Sequence, residues 1–175
     1  MSERERLSLW DVVYASNMAV AGAISYWIIT SALQPFVDRD ADLLGGMWAV
    51  VATLIVFRKT RRDSFSAGVA RLIATCVSFA LCLIYLWIFP FTALGMAALL
   101  GMGTLAMILL DRRDDIVTTG ITTAVVMVVA AMSPLDAWHQ PILRLIDTVV
   151  GISVGVACKW IASSVYFRIA GKPVQ

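Results

Sequence analysis

The chain has 175 residues, 60% of them hydrophobic and 15% charged, with a formal net charge of +2. Soluble domains carry about 25% charged residues, and a chain this small cannot bury so large an apolar share of its surface. A soluble enzyme domain is therefore excluded, and so small a net charge gives no electrostatic basis for binding nucleic acid.

Charges cluster at intervals along the chain, leaving apolar stretches between them. A bilayer core of roughly 30 Å needs about 20 helical residues, so the length has room for roughly six short-looped spans. The first is expected over 12–33. It is too long for a signal-peptide core and ends at the acidic loop containing Asp38, Arg39, Asp40 and Asp42. The second, 43–57, is short and needs interfacial residues or tilt near Arg58. The third covers 68–89, where Pro90 stops it by removing a donor and disfavouring helix at the preceding residue. A tight hairpin leads to the fourth, 92–110. The fifth, 116–132, ends at Ser133-Pro134, and the sixth follows Pro141 to about residue 167.

Basic residues favour alternate loops. Arg4 and Arg6, then Arg58, Lys59, Arg61 and Arg62, then Arg112 and Arg113, then Arg168 and Lys172 fall on one side. Arg39 and Arg144 fall on the other, beside Asp38, Asp40, Asp42, Asp136 and Asp147. The positive-inside rule then predicts an all-α integral membrane protein, a six-transmembrane-helix bundle with both termini cytoplasmic. Its parts are a cytoplasmic segment 1–11, a membrane domain 12–167 and a cytoplasmic tail 168–175, in the bacterial inner (cytoplasmic) membrane. A five-span reading would break the alternation, which supports keeping the short second span.

Cys76, Cys82 and Cys158 lie in apolar segments without metal-ligand spacing and read as small buried hydrophobes. Trp48, Trp87 and Trp138, and at the other boundary Trp10 and Trp160, read as interfacial anchors. Gly101 and Gly103 lack the lysine and hydroxyl residue of a phosphate loop. His139 stands alone in a loop. No nucleophile, base and stabiliser converge, so no enzyme activity, cofactor or metal is expected.

Polar groups inside the spans are the candidates for function. Arg71 lies a turn inside span three and shares a face with Thr75, Ser78 and Cys82. A charge there must snorkel, pair or face water, so Arg71 either reaches the headgroups or contacts an anion on an inward path. In span six, Arg144 and Asp147 suit a local ion pair at the outer interface, or a proton-exchanging gate. Gly151 and Gly155 form a small-xxx-small pattern for close helix packing, within one chain, along a path or between subunits. Lys159 either snorkels or joins the anion path. Asn17, Ser25, Thr118, Thr119, Thr122 and Thr123 can satisfy themselves on nearby helix carbonyls, or together hydrate a narrow route. The basic set Arg58, Lys59, Arg61, Arg62, Arg112 and Arg113 either orients the chain on anionic lipid or focuses anions at a pore mouth. One negative charge leaving an interior-negative cell gains about 2.3 kcal/mol per 100 mV, so export needs no ATPase module.

The start of span two, Gly45-Gly46-Met47-Trp48, with Thr53 in the same helix, the basic loop, and Arg71-Leu72-Ile73-Ala74-Thr75 resemble the fusaric acid resistance and aromatic acid exporter family. That family looks distantly related to plant aluminium-activated malate transporters. Arg144, Asp147, Thr148, Gly151 and Gly155 are similar to its closing-helix pattern, so the resemblance covers most of residues 8–167. Ala74 departs from the family's usual glycine before Thr75, although alanine keeps the position small. The resemblance implies export of small organic anions such as aromatic carboxylates, and a homodimer or other homo-oligomer. Because many larger members carry further regions, pairing with another membrane protein is also implied. The alternative function is a non-transporting scaffold or accessory subunit assembled through the last helix.

Overall fold

The computed structural model describes residues 9–32, 39–58, 60–132 and 138–170, with side chains over 11–31, 43–58, 60–132 and 138–164. These residues form α1 (Leu9–Ala32), α2 (Arg39–Val56), α3 (Arg61–Ile88), α4 (Ala93–Leu109), α5 (Ile116–Met132) and α6 (His139–Ala170), with a single 3-10 turn at Arg113–Asp115 before α5.

Local chemistry sets the ends. The Thr60 hydroxyl accepts from the Asp63 amide at 3.1 Å, satisfying one of the orphan donors of a helix start. Asp63 also places negative charge in the first turn, where the helix dipole favours it. α3 therefore begins at Arg61 rather than near residue 68, with Arg61 and Arg62 inside the helix. It stops before Pro90. Thr92 then caps α4 by accepting from the Gly95 amide at 3.0 Å, and its hydroxyl meets the Tyr85 hydroxyl at 2.9 Å across the hairpin. Pro141 sits within the first turn of α6 rather than before it; there its missing N–H breaks no intrahelical bond. The α4–α5 connection turns at Asp111, whose φ of 56° is left-handed, and the Arg112 amide donates to the Met107 carbonyl at 2.9 Å.

α6 packs on α1, α2 and α3, while α3 also packs on α2, α4 and α5. α3 and α6 thus join two groups of helices. Cys82 and Leu86 of α3, Leu99 of α4, and Val126, Met127 and Ala130 of α5 form a buried apolar cluster. At its lower edge the Ser78 hydroxyl donates to the Thr119 carbonyl at 2.9 Å. The start of α5 is therefore level with Ser78, about 25 Å along α3 from Arg61. The α4–α5 hairpin covers only the second half of α3, and the first half packs on α2 and α6.

Four helical stretches are long and apolar enough to cross a membrane: Asp11–Ser31, Arg61–Ile88, Arg113–Met132 and His139–Ser164. This corrects the six-span expectation. The apolar part of α2, Leu43–Val56, starts only after the charged Arg39, Asp40 and Asp42, and α4 has 17 residues. That is about 25 Å of helix against a core of roughly 30 Å. Alternating loop charge reports which end of the bundle a loop occupies; it does not measure the apolar length of the helix between two loops. Four crossings, like six, put both termini on one side of a membrane, but the alternation of basic loops that named that side as cytoplasmic required six. Residues 1–8 and 171–175 lie outside the described residues, as do Lys59, Asp38, Asp136 and the side chains of Trp10 and Arg168.

Two further expectations change. Cys82 is buried, but Cys158 is only partly so and Cys76 is exposed, because Cys76 falls on the outer face of α3. Trp87, Trp138 and Trp160 are exposed, whereas Trp48 is interior at 3% exposure.

Candidate functional site

The interior of the α2–α3–α6 group is polar. α3 presents Arg71, Thr75 and Ser78 on one buried face, four and then three residues apart; α6 presents Arg144, Asp147 and Thr148; α2 presents Trp48 and Thr53. All are buried. α5 adds buried Thr119, Thr122 and Thr123 where α3 meets the hairpin.

Glycines allow the helices to approach this closely. A Cβ on Gly151 would collide with the Ala49 carbonyl, and one on Gly155 would lie 3.2 Å from the Thr53 carbonyl. The glycine pair of α6 thus faces α2 of the same chain. Thr53 bridges the seam, its hydroxyl lying 2.9 Å from both the Ala49 and the Gly151 carbonyls. A Cβ on Gly45 would lie 3.0 Å from Oδ1 of Asp147, so the missing side chain there makes room for a carboxylate. Gly68 plays the same part between α3 and Ile152.

Arg144 and Asp147 stand 3.0 Å apart, Nη1 to Oδ2, with 2% and 0% of their side chains exposed. This pair is enclosed by the bundle rather than set at an interface. Thr148 donates back to the Arg144 carbonyl at 2.8 Å. Arg71 differs from Arg144. It is 2% exposed, no carboxylate of the described residues pairs with it, and its guanidinium carbon lies 5.3 Å from the centre of the Trp48 ring. Its Nε and Nη2 have no hydrogen-bond acceptor, nor have Trp48 Nε1 and Thr75 Oγ1. Elsewhere in the interior Thr123 Oγ1, Arg144 Nε and Gln140 Oε1 also lack partners.

The remaining candidates lie apart from this seam. Lys159 is half-buried, with Nζ 5.5 Å and 5.7 Å from the ring centres of Tyr14 and Phe57. Arg61 donates to Ser164 at 3.0 Å and stacks over Trp160 at 5.6 Å. Arg112 pairs with Asp115 at 2.8 Å. Arg58, Arg62 and Arg113 are exposed, but Arg113 belongs to the short hairpin and Arg58 and Arg62 to the far end of α3. The basic residues do not share one level. Among the described residues no group of His, Cys, Asp or Glu is arranged to hold a metal.

Trp48 was expected as an interfacial anchor, because tryptophan near a span end suits an interface, yet it is interior. Its spacing carried the signal: Gly45, Trp48 and Ala52 fall on one helical face, and all three are buried.

Long apolar helices around a polar, charge-bearing seam define a polytopic helical membrane protein. The chain belongs to the fusaric acid resistance protein-like family, which matches over residues 19–158. That is a transporter-type family rather than a family of enzymes. No curated protein and no solved structure matches the chain.

Proposed function

We propose that the protein exports small organic anions, aromatic carboxylates among them, across the bacterial inner membrane. Arg71 carries this reading. A fully buried arginine without a carboxylate is costly in a membrane helix, and it is retained where a passing anion completes it. The hydroxyls of Thr75 and Ser78 continue the same face, and Thr119, Thr122 and Thr123 extend it onto α5. Exposed Arg58, Arg62 and Arg113 raise the local concentration of anions near the bundle, with Lys159 behind them. The Arg144–Asp147 pair lies within α6 and neutralises its own charge, so it does not compete with Arg71 for an anion. The seam of Gly151 and Gly155 is filled by α2, so it does not favour a scaffold assembled through this face; a homodimer would use another surface.

The test is flux of benzoate or salicylate from liposomes containing the purified protein. Wild-type protein should release the anion, and Arg71→Gln should slow release about tenfold or more, equivalent to about 1.4 kcal/mol or more, while inserting normally. Release equal to that from empty liposomes across a panel of monocarboxylates would refute export.

A further inference from the structure

The unsatisfied buried atoms of the α2–α3 seam share one chemical character. Arg71 Nε, Arg71 Nη2 and Trp48 Nε1 can only donate, and Thr75 Oγ1 is free to do so. No acceptor faces them within hydrogen-bonding distance. A buried donor without an acceptor loses its water and gains nothing in return, and in hydrocarbon no water replaces the loss. Charge points the same way. The buried charged side chains among the described residues are Arg71, Arg144 and Asp147; Arg144 and Asp147 face each other at 3.0 Å, which leaves the Arg71 charge in surplus.

The geometry of the guanidinium narrows the ligand. Nε–H and Nη2–H form the edge whose two N–H bonds run parallel, the fork that meets both oxygens of one carboxylate. That edge is the one without partners. The guanidinium carbon lies over the Trp48 ring, 5.3 Å from its centre. Thr75 stands one helical turn beyond Arg71 on the same buried face.

We infer that the α2–α3 seam is a stationary binding site for one monocarboxylate, gripped through the Nε–Nη2 edge of Arg71 with Trp48 Nε1–H and Thr75 Oγ1–H as further donors. The inference deepens the export reading and rests on its choice of solute. It adds that Trp48 acts through its indole N–H, that the anion is held before it moves, and that the single surplus charge selects monoanions over dianions.

Equilibrium binding of benzoate to the full chain in nanodiscs tests this without requiring flux. Benzoate should bind saturably at one site per chain, and phthalate at least about tenfold more weakly. Trp48→Phe keeps the ring and removes the donor; it should weaken benzoate about tenfold. Thr75→Val should cost less, about threefold. Arg71→Lys keeps the charge but loses the fork, and should weaken binding about tenfold or more. Melting curves of each variant confirm that it is folded. Benzoate affinity unchanged in folded Arg71→Lys and Trp48→Phe overturns the site, as does phthalate binding as tightly as benzoate. Binding as expected with no liposome flux defeats export and leaves the site standing; flux without saturable binding defeats the site and leaves export standing.

Discussion

At Gly151 the room for a side chain is taken by the α2 backbone and by the shortest of side chains, the Ala52 methyl, which has no rotamer to move away. The Ala49 carbonyl occupies the position a Cβ would take, with the Ala52 methyl 2.8 Å from it, and neither can move without shifting α2 against α6. Gly155 is less confined, since its nearest neighbour would lie at 3.2 Å, and Gly101 has nothing within 4 Å. Three alanine substitutions should therefore separate by cause. Gly151→Ala should destabilise the protein by about 1–3 kcal/mol through overpacking, and Gly155→Ala by less. Gly101→Ala should be neutral or stabilising by up to about 1 kcal/mol, from helix propensity alone. Unfolding midpoints in detergent check the order, and a Gly101 variant less stable than the Gly151 variant would contradict the packing described. The spacing of Gly151 and Gly155 showed that something approaches α6 closely. That it is α2 was not legible, because a small-xxx-small pattern names no partner. Arg71, Thr75 and Ser78 were legible as one face, since their spacing is helical and polar residues stand out in apolar sequence. Their meeting with Trp48 depends on how α2 is rotated, which one sequence does not encode locally.

α3 has 28 residues, about 42 Å, whereas α4 and α5 have 17 each. With Ser78 tied to Thr119, the shorter hairpin ends partway down α3, and its charged turn sits well above the loop at Arg58. The expectation of one basic mouth treated loops of like charge as coplanar, which holds only if the helices between them are equally long. The extra length of α3 was nonetheless readable in Thr60-Arg61-Arg62-Asp63, the pattern of a capped helix start, lying before the apolar run. Spin labels at Arg62→Cys and Asp114→Cys, both exposed positions, in a background without the native cysteines, should report a separation above about 15 Å, the axial offset implied by the rise of α3. A markedly shorter distance would place the two loops in one ring and restore the single mouth.

For the whole molecule, the decisive question is what solvent its outer surface meets. Trp87 is 76% exposed, Leu94 85% and Leu109 86%, and water would not tolerate so much apolar surface on a small monomer. Composition made the membrane assignment legible from the start, because it sums over the chain and needs no knowledge of packing. The number of crossings was not, because it depends on where each apolar helix begins relative to its charges. Cys76 gives a direct probe. It is exposed on α3, within the stretch Arg61–Ile88 that is long enough to cross, and next to the buried face at Thr75. Maleimides are attacked by the thiolate, which hydrocarbon disfavours. If that outer face meets lipid, an apolar maleimide should therefore label Cys76 only slowly in intact proteoliposomes, and a membrane-impermeant charged one not at all. Cys82, fully enclosed in the cluster with Leu86 and Val126, should resist both until the protein unfolds. Rapid labelling of Cys76 by the charged reagent in sealed vesicles would show that this face of α3 is wet, and a helix counted as crossing lipid would instead line an aqueous surface.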